Sequence, residues 1–169
     1  MRHNEAVTPH MAGPNVAIRA TARRQVAFLA VIAVLAIPMA WLIATLGFTI
    51  RVAAPGRDIA LLLLWSASEE VVFRGGLLTL LSRRPGRSTQ AGRAPPQGWR
   101  VVSAANLLTS LVFCAAHAPF KPALVVLGLF PVSLLLGASL ERTGRLWVPV
   151  ALHGYFNLLL YAASALTSA

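Results

Sequence analysis

The sequence predicts an all-α integral membrane protein, a polytopic bundle of about five transmembrane helices. Hydrophobic residues make up 57% of the 169 residues, and charged residues only 12%. A soluble domain carries about 25% charged residues. The apolar residues also fall into long blocks, and a block of about 20 residues is enough for a helix to cross a bilayer. The length is that of one domain.

The chain is expected to begin with a polar, basic tail at residues 1–25, and residues 26–166 are expected to form a single transmembrane domain. The first span is predicted at 26–50. A signal peptide is the competing interpretation, but a signal core has only about 7–15 apolar residues and this charge-free run is longer.

Turn-forming and charged segments separate the remaining apolar blocks. Pro55 and Gly56 break the chain before the second block. An Arg-, Pro-, Gly- and Ser-rich loop at 82–100 precedes the third, and a charged turn at 141–145 precedes the fifth. The predicted spans two to five are therefore 59–81, 101–120, 122–140 and 146–166.

The net charge of +10 comes from basic residues in the gaps between apolar blocks. That distribution indicates membrane topology rather than nucleic-acid binding. With the N-terminus inside, the cytoplasmic segments hold eleven of the 15 Lys and Arg residues. The loop at 82–100 could also attract anionic lipid headgroups. The expected surroundings are a lipid bilayer, with no nucleic-acid partner.

Two carboxylates and a guanidinium lie inside the second predicted span. Glu70 and Arg74 are four residues apart, so on a helix they share a face and can pair. Glu69 points about 100° away from Glu70. Charges at membrane depth are rare and usually functional. The alternative interpretation is a structural polar cluster that only joins two helices.

Two later spans carry further polar residues. His117 lies near the outer end of the third span, and His153 and Asn157 lie on one face of the fifth. Because buried polar groups need partners, we expect these side chains to converge with the glutamates on one site.

This residue set suits hydrolysis of a peptide bond. A carboxylate with a histidine can act as a general base toward water, and a histidine with an amide can stabilise an oxyanion. Two alternatives remain open. The same residues could bind zinc, or a nucleophile could come from Ser66, Ser68 or Cys114 with partners on other spans.

Three motifs resemble those of one family, the CAAX protease and bacteriocin-processing (CPBP) intramembrane endopeptidases. EEVVFR at 69–74 resembles its EExxxR motif, FCAAH at 113–117 its FxxxH motif, and HGYFN at 153–157 its HxxxN motif. The segment ERTGRLWVP at 141–149 is similar to the stretch that precedes the last motif. The resemblance covers about residues 60–160.

The resemblance implies an intramembrane endopeptidase that acts on a membrane-associated protein or peptide, in a bacterial cell (inner) membrane. It implies that Glu69 and His117 activate water. His153 and Asn157 would line the oxyanion hole, with Glu70 and Arg74 as supporting residues. The expected mechanism uses a glutamate and no metal or other cofactor, with zinc as the alternative.

Two other function classes compete with the protease hypothesis. A small proton-coupled transporter could use the glutamates and histidines as a relay, although no internal repeat is evident. A non-catalytic immunity or assembly factor of the same fold would bind a partner instead. The complete set of candidate residues favours catalysis.

The arginine asymmetry predicts that the N-terminus is cytoplasmic and the C-terminus external. A topology reporter fused after Arg93 is expected to behave as cytoplasmic, and one fused after Ala169 as external. The opposite pattern would reverse the predicted orientation.

Overall fold

The computed structural model describes residues 14–45, 54–83 and 102–167, and in these ranges the chain forms helices and turns without any strand. Most of the predicted loop at 82–100 and the end of the predicted first span lie outside them. In chain order the helices are α1 (Pro14–Thr45), α2 (Pro55–Glu70), a π-helix (Val71–Leu78), α3 (Thr79–Ser82), α4 (Ala104–His117), α5 (Ala123–Thr143) and α6 (Trp147–Thr167).

The predicted all-α membrane bundle is confirmed. Three stretches are long and apolar enough to cross a membrane: residues Thr21–Thr45 of α1, and the whole of α5 and α6. The fourth apolar helix, α4, is shorter. The second predicted span corresponds to α2, the π-helix and α3, which follow one another without a gap.

The first helix begins well before the first predicted span. Residues 14–25 were assigned to a polar tail, but α1 starts at Pro14. A proline is favoured in the first turn of a helix because its fixed φ suits the helix and its missing N–H has no partner there anyway. Hydropathy locates the apolar part of a helix and does not detect a polar extension such as this one.

The second predicted span changes its helical geometry in the middle. The π-helix starts directly after Glu70 and contains Arg74. π-helical turns are rare and often occur at functional sites. No sequence pattern used above predicts this change, because the apolar residues continue through it.

The fourth helix explains how His117 reaches the glutamates. Its 14 residues correspond to about 21 Å at 1.5 Å per residue, which is less than the ~30 Å hydrocarbon core of a bilayer. The helix ends at His117 and is followed by a turn in which the Phe120 amide donates to the His117 carbonyl, at 3.0 Å. The predicted third span at 101–120 is therefore longer than the helix, which covers Ala104–His117.

The turn between α5 and α6 is closed by a glycine. Gly144 has a φ of 65° and its amide donates to the Leu140 carbonyl at 2.7 Å. A left-handed glycine after the last helical residue is a common helix ending, because residues with a Cβ are strained there. The predicted charged turn at 141–145 is shorter than expected, because α5 continues through Thr143.

The bundle has an apolar exterior, and many of its buried side chains are polar. Fully buried side chains include those of Glu70, Arg74, Asn106 and several serines, whereas Trp65, Leu64 and Val72 are each more than 60% exposed. In a bilayer the lipid favours an apolar exterior, and small or polar side chains hold the helices together. Gly154 allows one such contact, since a Cβ there would lie 2.9 Å from Leu63 of α2.

The first helix packs against the same bundle. The Tyr155 hydroxyl of α6 donates to the Ala33 carbonyl at 3.2 Å, and the Gln25 amide donates to the Arg142 carbonyl at 2.8 Å. The Arg142 guanidinium lies 3.7 Å above the centre of the Phe28 ring. Polar contacts thus attach α1 to both helices of the α5–α6 pair.

Candidate active site

Glu69, His117 and His153 meet at one point of the bundle. Glu69 lies in the last turn of α2, His117 ends α4, and His153 lies in the second turn of α6. The Oε1 atom of Glu69 is 3.7 Å from Nε2 of His117, and its Oε2 atom is 3.8 Å from Nε2 of His153. Three helices thus place one carboxylate between two imidazole rings.

The other nitrogen of each ring has a close partner. Nδ1 of His117 lies 2.8 Å from the Phe113 carbonyl, and Nδ1 of His153 lies 2.8 Å from Oε1 of Glu70. A carbonyl only accepts hydrogen bonds, so Nδ1 of His117 carries the proton. The same assignment at His153 lets its Nδ1–H donate to the Glu70 carboxylate. Both rings therefore turn their Nε2 atoms toward Glu69.

Glu70 and Arg74 form the ion pair that their spacing predicted. Nη1 of Arg74 donates to Oε1 of Glu70 at 2.8 Å, and both side chains are fully buried. The Oε1 atom of Glu70 thus accepts from two donors, the guanidinium and the His153 ring. The second carboxylate oxygen, Oε2, and Nε of Arg74 have no hydrogen-bond partner among the described residues. One oxygen of this carboxylate therefore holds both side chains.

The two adjacent glutamates consequently differ in accessibility. The side chain of Glu69 is 16% exposed and that of His117 is 20% exposed, against 0% for Glu70 and Arg74. Only the first pair can be reached from outside the protein. The geometry separates an accessible carboxylate from a buried one.

Phe113 provides an aromatic surface beneath the site. Its ring centre lies 4.3 Å from that of His117 and 6.4 Å from that of His153. The Arg74 guanidinium lies 4.9 Å from the same ring, and Phe73 packs edge-on against it at 5.0 Å. Cation–π and aromatic contacts of this kind hold the surrounding side chains in fixed orientations.

Asn157 lies one helical turn beyond His153 and contacts a different residue. Its Nδ2 atom donates to the Ser66 hydroxyl at 2.7 Å, and Ser66 lies three residues before Glu69 on α2. Asn157 therefore joins α6 to α2 beside the carboxylate–histidine cluster. An amide nitrogen has two hydrogens, so one remains after this bond.

The candidate nucleophiles have other partners. The Ser66 hydroxyl donates to the Leu62 carbonyl at 2.8 Å, and that of Ser68 contacts the Trp65 carbonyl at 2.9 Å. Cys114 is a buried free cysteine. Neither hydroxyl has a histidine as its hydrogen-bond partner within the described ranges, so the geometry does not activate a serine.

Metal binding depends on how the donor side chains are arranged. Among the residues with assigned structure, no three His, Cys, Asp or Glu side chains are arranged to hold one ion. The facing atoms of Glu69 and of the two histidines lie 3.7 and 3.8 Å apart.

The sequence prediction did not include three buried polar residues on α4 and α5. One of them, Ser133, contacts the site directly, since Nη2 of Arg74 donates to its hydroxyl at 2.7 Å. Ser110 and Asn106 lie behind it in α4. An asparagine inside an apolar helix was the available signal, since such residues usually bond across helices.

The fold and the site define a polytopic membrane protein with a carboxylate–histidine cluster inside its helical bundle. The sequence matches the family model described as type II CAAX prenyl endopeptidase Rce1-like over residues 52–159. The chain belongs to this Rce1-like family, which confirms the resemblance noted from its motifs. Curated proteins and solved structures give no significant match.

Membership of this family indicates the general function of the chain. At the level of the family, the chain is an intramembrane CAAX endopeptidase that acts on a peptide or protein at the membrane. The match starts after α1 and ends within α6, so it includes the glutamates and both histidines of the site.

The buried ion pair generates a stability prediction. Glu70→Gln removes the charge that compensates the Arg74 guanidinium, and breaking a buried ion pair typically costs about 3–5 kcal/mol. We expect a clear fall in the melting temperature of the purified protein in detergent. The adjacent Glu69→Gln substitution is the matched control, and because Glu69 is partly exposed we expect it to change the melting temperature little. A lowered melting temperature for Glu69→Gln together with a parent-like melting temperature for Glu70→Gln would contradict the assignment of Glu70 as the structural carboxylate.

Proposed function

We propose that the chain hydrolyses a peptide bond with a water molecule held between Glu69 and His117, and that Glu69 is the general base. The 3.7 Å separation of their facing atoms is too long for a direct hydrogen bond and suits one bridging water. The carboxylate and the unprotonated Nε2 atom both accept, and a water has two O–H groups to donate. The arrangement supports a water that is held by both residues.

In the proposed reaction Glu69 takes one proton from this water while the water oxygen bonds to the carbonyl carbon of the substrate. The carbonyl electron pair moves to the oxygen and forms a tetrahedral oxyanion. When this intermediate collapses, the carbon–nitrogen bond breaks and Glu69 returns the proton to the departing amine. General-base catalysis of this type contributes about 10²–10⁴ in rate.

His153 and Asn157 are proposed to stabilise the oxyanion. Nδ1–H of His153 is used by Glu70, so donation from Nε2 requires that both ring nitrogens carry a proton. Asn157 would contribute the amide hydrogen that does not bind Ser66. The two residues are four apart on α6, so both donors lie on one face of that helix.

Glu70 and Arg74 are proposed to act without touching the substrate. The Oε1 atom of Glu70 contacts Nδ1 of His153, and Arg74 fixes that oxygen from the other side. Their role is to orient the His153 ring. Preorganised donors are effective because they need no rearrangement during the reaction.

One observation carries the proposal: two neighbouring glutamates have opposite environments. Both oxygens of Glu69 face imidazole nitrogens at non-bonded distance, and the side chain is partly exposed. Glu70 is fully buried and bonded to two donors. A base must be accessible to water, and a supporting carboxylate need not be.

The substrate is proposed to be a membrane-associated protein or peptide that approaches the site through the bilayer. The accessible side of the site lies on α2, whose Trp65 and Leu64 are strongly exposed on an apolar exterior. We propose the bacterial inner membrane as the location, with the N-terminus in the cytoplasm. The reaction is proposed to need no metal, and zinc is the alternative.

Glu69→Gln is expected to abolish cleavage, because the amide is nearly isosteric but cannot take a proton from water as a carboxylate does. Membrane peptides from cells with the parent protein and with the variant would be compared by mass spectrometry. A peptide that depends on Glu69 then serves as the substrate for rates in detergent, where we expect a loss of about 10²-fold or more.

Asp58→Asn is the matched control. It changes an acid to an amide on the same helix, about 16 Å along the axis from Glu69. Asp58 accepts from the Ala54 amide, which an asparagine side chain can also do. We expect Asp58→Asn to cleave the substrate at the rate of the parent protein. Parent-like cleavage by Glu69→Gln would exclude the proposed base.

The metal-independent reaction predicts that purified protein holds no stoichiometric zinc and cleaves its substrate in the presence of EDTA or phenanthroline. Elemental analysis and the cleavage rate after chelator treatment check this. Loss of the rate with chelator and its return with added zinc would establish the metal alternative instead.

A further inference from the structure

A continuous chain of hydrogen bonds runs from the Arg74 guanidinium across α5 into α4. Nη2 of Arg74 donates to the Ser133 hydroxyl at 2.7 Å and to the Ser133 carbonyl at 3.0 Å. The Ser133 hydroxyl donates to that of Ser110 at 3.0 Å, which contacts Oδ1 of Asn106 at 3.4 Å. Nδ2 of Asn106 donates back to the Leu134 carbonyl of α5 at 2.9 Å.

The donors in this chain all point in one direction. The guanidinium only donates, so the Ser133 hydroxyl accepts from it and gives its own hydrogen to Ser110. Ser110 in turn donates to the amide oxygen of Asn106, and the amide nitrogen donates to a carbonyl that only accepts. A side-chain hydrogen-bond network restricts the positions of its members, although Nε of Arg74 has no partner among the described residues.

The space for Asn106 depends on a glycine. A Cβ at Gly137 would lie 1.9 Å from Oδ1 of Asn106 and 2.8 Å from its Nδ2, distances that no real side chain tolerates. Gly128 on the same helix has nothing within 4 Å of such a Cβ. The contact is therefore a specific fit between the amide and the bare backbone of α5.

The start of α4 is also fixed, which keeps Asn106 in place. The Ser103 hydroxyl accepts from the Asn106 backbone amide at 3.0 Å and caps the helix. The same hydroxyl donates to the Glu141 carboxylate near the end of α5. Asn106 is thus held by its backbone and by its side chain.

We propose that Ser133, Ser110 and Asn106 are positioning residues that orient His153 through Arg74 and Glu70. The inference about turnover rests on the proposed function above. The physical path is short. The chain fixes one nitrogen of Arg74, another nitrogen of Arg74 bonds Oε1 of Glu70, and that oxygen bonds Nδ1 of His153. Without the Ser133 hydroxyl, Nη2 of Arg74 loses the shorter of its two bonds to Ser133, so the guanidinium and the His153 ring are held less firmly.

Ser133→Ala is the main test, and Ser139→Ala is its control. Both serines are fully buried on α5, but the Ser139 hydroxyl donates only to the Leu136 carbonyl of its own helix. We expect Ser133→Ala to lower kcat by about 10-fold to 100-fold, since small misplacements of catalytic groups cost up to about 10²-fold. KM should stay close to that of the parent because Ser133 does not touch the substrate. Ser139→Ala should leave kcat and KM unchanged.

A second pair of variants tests the other end of the chain. Gly137→Ala places a methyl group where the Asn106 amide lies, whereas Gly128→Ala meets open space. We expect the first to lower kcat and the second to leave it unchanged. The Ser133→Ala/Gly137→Ala double variant should be no slower than the slower single variant, because both changes break one path. If the two changes instead damaged the structure independently, their fold-reductions in kcat would multiply in the double variant.

Nitrogen NMR of ¹⁵N-histidine-labelled protein tests the orientation without an activity assay. Ser133→Ala is expected to shift the Nδ1 signal of His153, which bonds Glu70, and to leave that of His117, which bonds a backbone carbonyl. Ser139→Ala should shift neither. If Ser133→Ala does not fold, Gly137→Ala takes its place in the same comparison.

The outcomes separate the two proposals. If Glu69→Gln is inactive but Ser133→Ala matches Ser139→Ala in kcat and in the His153 signal, the positioning role is wrong and the proposed function stands. If Ser133→Ala shifts the His153 signal while Glu69→Gln cleaves normally, the orientation by the chain is right and the proposed base is wrong. Equal shifts of the two histidine signals would also overturn the positioning role, because they indicate a general loosening of the bundle.

Discussion

The site depends on the Oε1 atom of Glu70, which accepts from Arg74 and from His153 at 2.8 Å each. This oxygen lies in a bundle with an apolar exterior, where an uncompensated charge is expensive. The Arg74 guanidinium compensates the charge of Glu70 and joins the π-helix to α2. The His153 ring joins α6 to the same oxygen. Because the guanidinium also bonds Ser133 of α5, a single pair of charges fixes the relative positions of most helices around the site.

A buried ion pair by itself adds little to stability, since desolvation offsets the attraction. Its value here lies in geometry. Because Oε1 of Glu70 is used by Arg74 and His153, the adjacent Glu69 is left to face two Nε2 atoms at 3.7 and 3.8 Å. The carboxylate that the reaction would use is thereby kept free by the one that the fold uses.

The helix lengths and the small residues of the bundle serve the same arrangement. The short α4 ends at His117, and this residue lies beside Glu69. Gly154 lets α6 approach α2, and Gly137 admits the Asn106 amide between α4 and α5. In a bilayer the hydrophobic effect does not drive helices together, so close packing and interhelical hydrogen bonds determine where they meet.

The sequence by itself determined the fold class, the approximate spans, the Glu70–Arg74 pair and the residues that converge on the site. Those features follow from local quantities, namely hydropathy over about 20 residues and the four-residue spacing of a helical face. Only the tertiary structure decided which carboxylate is buried, how His117 reaches Glu69, and that Arg74 bonds Ser133, which is linked in turn to Ser110 and Asn106. These contacts join helices that are distant in the chain, and the serines and the asparagine carry no periodic signal that specifies their partners. The π-helix at Val71–Leu78 was hidden for a related reason: its residues are as apolar as those of an α-helix, and only the backbone hydrogen bonds distinguish the two.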